Sequence, residues 1–338
     1  MSLSPEPVAP DSNVLLDVVN LTKDYTVGGN RLFGAGSAKV SAVANVSLDL
    51  RRGETVGLVG ESGCGKSTMA RCILRLTDPT DGDILLKGTN IARMAPGPLR
   101  PHRRHMQIVM QDPLTALHPR MRVLDIIAEP LRMLGMSRAE RKRRAAELLA
   151  MVKLDPEHGS RFPHEFSGGQ RQRIGIARAL AVEPDIVVLD EPVSALDVSI
   201  QAGVLNLLKD LQARMGVAYL FVAHDLSVVR HLCDRVAVMY LGKIVEIGAA
   251  ADLYRNPQHP YTKALLSAVP VPDPQKERTR QRIILKGELP SPQSPPSGCR
   301  FRTRCWKAQD VCGAHEPPLI SHGGATRAAC HFPETPTV

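Results

Sequence analysis

Gly60-Glu61-Ser62-Gly63-Cys64-Gly65-Lys66-Ser67-Thr68 sets three glycines ahead of a lysine and two hydroxyl residues, a spacing that can hold a chain of phosphates. Glycines let successive backbone N–H groups turn inward around an anion, and a helix beginning at the lysine adds its positive N-terminal end. Lys66 should reach the outer phosphates, and Ser67 should ligate Mg²⁺. The preceding Glu54-Thr55-Val56-Gly57-Leu58-Val59 is a compact apolar run and Thr68 to Leu76 is helical in pattern, so the loop has the strand-to-helix setting that its chemistry requires.

A second pair of acids stands at the end of another apolar run, Ile186-Val187-Val188-Leu189-Asp190-Glu191. Successive strand residues point to opposite faces, so the two carboxylates can take different work. Asp190 suits the Mg²⁺ shell, and Glu191 suits a general base that polarises an attacking water.

Between these two elements lies Phe166-Ser167-Gly168-Gly169-Gln170-Arg171-Gln172-Arg173, opening a helix that runs through Ile176, Ala177 and Leu180. Together the three resemble the ATP-binding cassette family, with Phe166 where a leucine usually leads the signature. The resemblance implies that Ser167, Gly168, Gly169 and Gln170 contact ATP held by a second cassette, and not the ATP on their own phosphate loop. It implies further roles in order along the chain. Gln111 in Met110-Gln111-Asp112-Pro113 would sense Mg²⁺ and the attacking water, and His224 in Ala223-His224-Asp225 would be the switch histidine at the γ-phosphate. Ser194-Ala195-Leu196-Asp197 would communicate between cassettes through Asp197, and Tyr25 would stack on adenine. The fold it implies is α/β, a P-loop nucleotide-binding domain with a RecA-like parallel-sheet core, an antiparallel β subdomain and a helical subdomain, plus a small irregular C-terminal domain.

Past residue 256 prolines recur and periodicity fades, which places a boundary there. The expected division is a disordered 1–13, a cassette over 14–255 with its helical subdomain at about 112–175, and an extension over 256–338. Within that extension His259-Pro260-Tyr261-Thr262-Lys263-Ala264-Leu265-Leu266, Gly287-Glu288-Leu289-Pro290-Ser291-Pro292 and Pro295-Pro296-Ser297-Gly298-Cys299 resemble the extension of oligopeptide and dipeptide importer ATPases, nearest the second of their two ATPase types. This implies an ATPase at the cytoplasmic face of the inner membrane. Its partners would be a different second cassette, two transmembrane permease subunits and an extracytoplasmic substrate-binding protein, with no nucleic acid. Nickel or another small solute is the alternative cargo.

Four of the seven cysteines, Cys299, Cys305, Cys312 and Cys330, fall in this extension. They could furnish the four thiolates of a [4Fe–4S] cluster, as the resemblance implies, or stay unligated; the absence of short C-x₂₋₄-C pairs disfavours zinc.

Composition sets the remaining bounds. The net charge of +9, from 43 Lys+Arg against 34 Asp+Glu, suits polyphosphate, an anionic membrane surface or nucleic acid and does not choose among them. A soluble cassette protein working on ribosomes or DNA would bring two cassettes or a long coiled coil, and the sequence holds one phosphate loop and no sustained heptads. A binding-only regulatory subunit is disfavoured because every catalytic position is filled. No apolar run reaches the length of a membrane span, and the first residues lack the pattern of a secretory signal. Elsewhere Val14 to Arg52 reads as two or three short strands around a glycine-rich loop, and Pro113 to Leu154 as helical with a capping box at Ser137. Arg141-Lys142-Arg143-Arg144 reads as a solvated helix face. Two more short strands are expected at Arg235 to Met239 and Lys243 to Gly248.

Overall fold

The computed structural model describes residues 13–27, 38–270, 273–323 and 326–334; of the segment 1–13 expected to be disordered all but Asn13 lies outside them, as does the glycine-rich loop at 28–36. Two sheets organise the chain. The smaller is antiparallel, built from β1 (Val14–Val27), β2 (Ala38–Arg51), β4 (Asp81–Leu86) and β5 (Thr89–Asn90) in the order β2-β1-β4-β5. The larger contains β3 (Thr55–Val59), β6 (Met106–Val109), β7 (Ile186–Asp190), β8 (Ala218–Ala223), β9 (Arg235–Tyr240), β10 (Lys243–Ala249), β11 (Ile320–Ser321) and β12 (Arg327–Ala328). Its order is β11-β12-β10-β9-β3-β8-β7-β6, parallel from β9 to β6 and antiparallel beyond.

The central strands are apolar and buried along their whole length, as expected for a parallel sheet covered on both faces. Their alternation sorts residues into two cores. Val187, Leu189, Tyr219 and Phe221 pack with the helical region, through Ile126, Leu148, Ile174 and Leu207. Ile186, Val188, Leu220 and Val222 pack with the antiparallel sheet and with Met69 and Ile73.

Where two or three short strands were expected over residues 14–52, β1 and β2 are each a single strand of 14 residues. Their pairing shifts register around Leu21, and Asn20 and Asn45 take positive φ (52° and 54°). These bulges interrupt the alternation without ending the ladder. The helix after the phosphate loop ends at Ile73, short of Leu76, because Arg75 adopts φ 51° and its guanidinium is taken by the carbonyls of Ile91 and Ala92 and by Asp78.

The capping box at Ser137 forms, starting the helix Arg138–Met151. In the basic run that follows, Arg144 reaches Glu147 and Glu183. The expected strands near 235 and 243 form a hairpin through Leu241-Gly242, both at positive φ as a tight two-residue connection demands. Residues past 256 add helix Pro260–Ala268 and return β12 to the edge strand β10, so the extension joins the large sheet.

Candidate functional site

The phosphate loop leaves the buried end of β3 and enters helix Lys66–Ile73 at Gly65, whose φ is +108°. Two of its glycines have no room for a side chain. A Cβ on Gly60 would stand 2.1 Å from the Met239 carbonyl oxygen, and one on Gly65 the same distance from the Ala42 carbonyl. Lys66 is buried, its ammonium donating to the carbonyls of Gly60 (2.8 Å) and Glu61 (3.1 Å). The cationic head thus rests over the loop. Ser62 and Gly63 are exposed, Cys64 is buried, and Thr68 is partly exposed in the first helical turn.

The Ser67 hydroxyl donates to Asp190 Oδ1 at 3.0 Å, across from the end of β7. Asp190 is buried, and burial lifts its pKa above the ordinary value although the Ser67 bond opposes this. A desolvated carboxylate beside a hydroxyl is a hard-oxygen pair that fits Mg²⁺.

The chain then turns sharply. Glu191 takes φ 47°, unfavourable for a residue with a side chain, and its N–H is held by the Val222 carbonyl at 3.0 Å. Its carboxylate therefore serves a different cluster. Gln111 Nε2 donates to Glu191 Oε2 at 3.0 Å, and His224 Nδ1 lies 3.1 Å from the same oxygen. Gln111 follows β6, Glu191 follows β7 and His224 follows β8, so three neighbouring parallel strands deliver the trio at their carboxyl ends.

Ser167 caps helix Gly168–Leu180: its hydroxyl accepts from Gln170 N–H at 3.3 Å while Gln170 Oε1 accepts from Ser167 N–H at 2.9 Å. Gly168 packs near Leu196, and a Cβ on Gly169 would come within 2.4 Å of Ile200 Cγ2. Asp197 stands at the N-cap position of the adjoining helix Val198–Met215 with no side-chain capping bond, and is exposed beside Val198, itself 81% exposed. Among the described residues no hydrogen bond or ion pair joins Ser167–Gln170 to the phosphate loop. Tyr25, on β1, is exposed with the Lys23 ammonium 4.9 Å from its ring centre.

Sequence reasoning did not connect the extension to this site. Tyr261 accepts a hydrogen bond from Glu61 N–H at 2.9 Å, and Arg304 pairs with the Glu61 carboxylate at 2.8 Å. Nothing in the local pattern marks contacts across 200 and 243 positions.

The four extension cysteines line one small cavity with Phe301, Lys307 and His331. As placed, no group of three or more His, Cys, Asp or Glu among the described residues is set to hold a metal ion, so the expected [4Fe–4S] cluster gains no ligand set from this geometry.

An anion cradle feeding a hydroxyl–carboxylate pair, with a separate glutamate–glutamine–histidine trio at the ends of parallel strands, defines an ATP-binding cassette. The ABC transporter family model matches residues 43–194, and that of the oligopeptide/dipeptide transporter C-terminal region matches 245–312. The chain is 51% identical to the putative oligopeptide transport ATP-binding protein YkfD of Bacillus subtilis over 94% of its length and 95% of that protein's. It is 49% identical to the oligopeptide transport ATP-binding protein OppF of Haemophilus influenzae over 96% of its length and 98% of that protein's. Among solved structures, the dimeric post-hydrolysis state of the ATP-binding cassette MJ0796 bound to ADP and Pi superposes with TM-score 0.62 at 32% identity. That match covers 70% of this chain and 98% of MJ0796. The chain belongs to the ATP-binding subunits of ABC transporters, in the branch that carries the oligopeptide/dipeptide C-terminal region, and is an ATPase.

Proposed function

We propose that this chain hydrolyses ATP to drive peptide uptake by an ABC importer, working as one of two cassettes beneath two permease subunits fed by an external binding protein. The observation that carries the cargo assignment is the match of residues 245–312 to the oligopeptide/dipeptide transporter C-terminal region, beside relatives named for oligopeptide transport that the chain covers to 95% and 98%. On this reading 14–255 is the cassette, 112–175 its helical subdomain and 256–338 the extension.

ATP lies on the loop Gly60–Thr68, with Tyr25 against the base. Bound Mg²⁺, held through Ser67 and Asp190 with Gln111 nearby, would neutralise phosphate charge. Lys66 turns its ammonium from the loop carbonyls to the phosphates. Glu191 accepts a proton from the attacking water, which Gln111 orients, and His224 donates to the γ-phosphate. Ser167, Gly168, Gly169 and Gln170 close on the ATP of the facing cassette, as Asp197 meets its counterpart across the interface.

A groove of about 520 Å³ beside Gln111 supports the permease partnership. Leu76, Met110 and Met133 line it and are 51%, 48% and 56% exposed. Apolar side chains edged by Arg103, Arg104, Glu129, Arg132 and Arg178 suit a short amphipathic helix from a membrane subunit. No helix among the described residues is long and apolar enough to cross a membrane, so attachment would come through this docking at the cytoplasmic face.

Co-purification with the permeases, followed by a solute panel scored by stimulated ATPase, tests the assignment. Stimulation by di- or oligopeptides is the expected result, and stimulation by nickel chelates alone would refute the peptide reading. The four cysteines line one small cavity, the sole feature in favour of a [4Fe–4S] cluster, although among the described residues they are not set as a metal-ligand group. Iron and sulfide assays on anaerobically purified protein decide it, a colourless iron-free product refuting it.

A further inference from the structure

Both ends of the phosphate loop are tied to residues outside the nucleotide motifs. At its start, Glu61 N–H donates to the Tyr261 hydroxyl at 2.9 Å, and the Glu61 carboxylate pairs with Arg304 at 2.8 Å. The Arg304 side chain is only 11% exposed, so this ion pair is shielded from the solvent that weakens surface pairs. At its far end, the Cys64 carbonyl accepts from Gly242 N–H at 2.8 Å, and the neighbouring Leu241 carbonyl accepts from the Arg300 guanidinium.

The tethers share one rigid base. Tyr261 is fully buried on helix Pro260–Ala268, its ring centre 4.7 Å from that of Tyr240 on β9 and 5.4 Å from that of Phe301 in the extension. Phe301 also meets Tyr240 edge-on at 5.2 Å. Arg300, Phe301 and Arg304 are thus three members of one short segment, and all three act on or beside the loop.

A loop with three glycines loses much conformational freedom when its N–H groups are fixed around phosphates. Holding its two ends beforehand reduces that cost at the moment of binding. We infer that Tyr261 and Arg304 are positioning residues of the ATP site: acting through Glu61, the C-terminal extension holds the phosphate loop of its own chain in binding shape, and ATP affinity depends on that hold. This rests on the assignment of Gly60–Thr68 as the ATP site.

Nucleotide titration of the purified full-length chain with a non-hydrolysable ATP analogue, alongside thermal melts, tests it. Tyr261→Phe keeps the ring packing and removes only the acceptor for Glu61 N–H. It should weaken analogue binding about three- to ten-fold, the scale of one lost hydrogen bond, with little change in Tm. Arg304→Gln should do the same and Arg304→Lys should recover part of the loss. Combined with Glu61→Gln, Arg304→Gln should add less than its separate effect, because both break one pair. In the assembled importer KM for ATP should rise while kcat at saturating ATP stays within about two-fold. A purely structural role would instead lower Tm and leave the affinity of the folded fraction unchanged. The inference fails if Tyr261→Phe and Arg304→Gln both bind the analogue within about two-fold of the unaltered chain. An unaltered chain that binds no analogue overturns the nucleotide-site assignment, and this inference with it.

Discussion

Asp190 and Glu191 are adjacent in sequence and belong to different clusters, one on the Ser67 hydroxyl and the other on Gln111 and His224. Their consequences should separate by mutation. Glu191→Gln keeps the hydrogen-bonding shape and removes the base, so ATP binding should persist while turnover falls by about 10²-fold or more, read as steady-state phosphate release. Near-normal release would refute the base assignment. Asp190 is held above its ordinary pKa by burial, which means that its charged form is disfavoured in the folded chain. The contribution of such an acid to stability is greatest below the ordinary carboxylate value and is lost as pH rises through the raised folded value. At neutral pH the charge is therefore a cost, and Asp190→Asn should melt at a higher temperature than the unaltered chain without nucleotide while losing Mg²⁺-dependent hydrolysis. A lower Tm at pH 7 would contradict this.

At the scale of the elements, end residues set behaviour more than helix interiors do. His259 caps helix Pro260–Ala268 by accepting from Tyr261 N–H at 3.1 Å through Nδ1, so it must be neutral at that atom. Complete burial pushes its pKa down to about 3 from 6.5. The stability it supports is full above about 6.5 and is lost progressively as pH falls toward about 3. Melts between pH 7 and 5 should show His259→Asn, which keeps a capping acceptor and cannot take a proton, with a shallower loss of Tm than the unaltered chain. Parallel curves would show that His259 does not govern acid lability. The sequence disclosed the cap at Ser137, because a capping box is a local contact between residues three apart, and the same contact forms at Ser167 where only a helix start was expected. It hid the length of β1 and β2, since the bulges that break their alternation are sustained only by pairing with a distant strand.

At the scale of the whole molecule the signature stands apart from the phosphate loop of its own chain among the described residues. Among the described residues Ser167–Gln170 make no hydrogen bond or ion pair to it, and exposed Val198 and Ile200 flank the same surface. On the two-cassette reading, Ser167→Ala should leave ATP binding by the single chain unchanged, cost about 1 kcal/mol of stability through the lost helix cap, and depress turnover of the assembled importer. Turnover at the unaltered level would place the signature outside the reaction.

The sequence by itself determined the motifs whose geometry is local: the glycine cradle, the acid pair at a strand end and the helix opened by the signature. It also carried the family, because each of those motifs demands its own flanking strand or helix. Only the tertiary structure decided how they meet. It brought Gln111, Glu191 and His224 together at the ends of three parallel strands, and it seated the extension on the phosphate loop through Tyr261 and Arg304. It also gathered four cysteines, up to 31 positions apart in sequence, around one small cavity. The physical reason is distance along the chain: backbone preference and capping act over a few residues, whereas contacts across tens to hundreds of positions arise only when both faces of the sheet are packed.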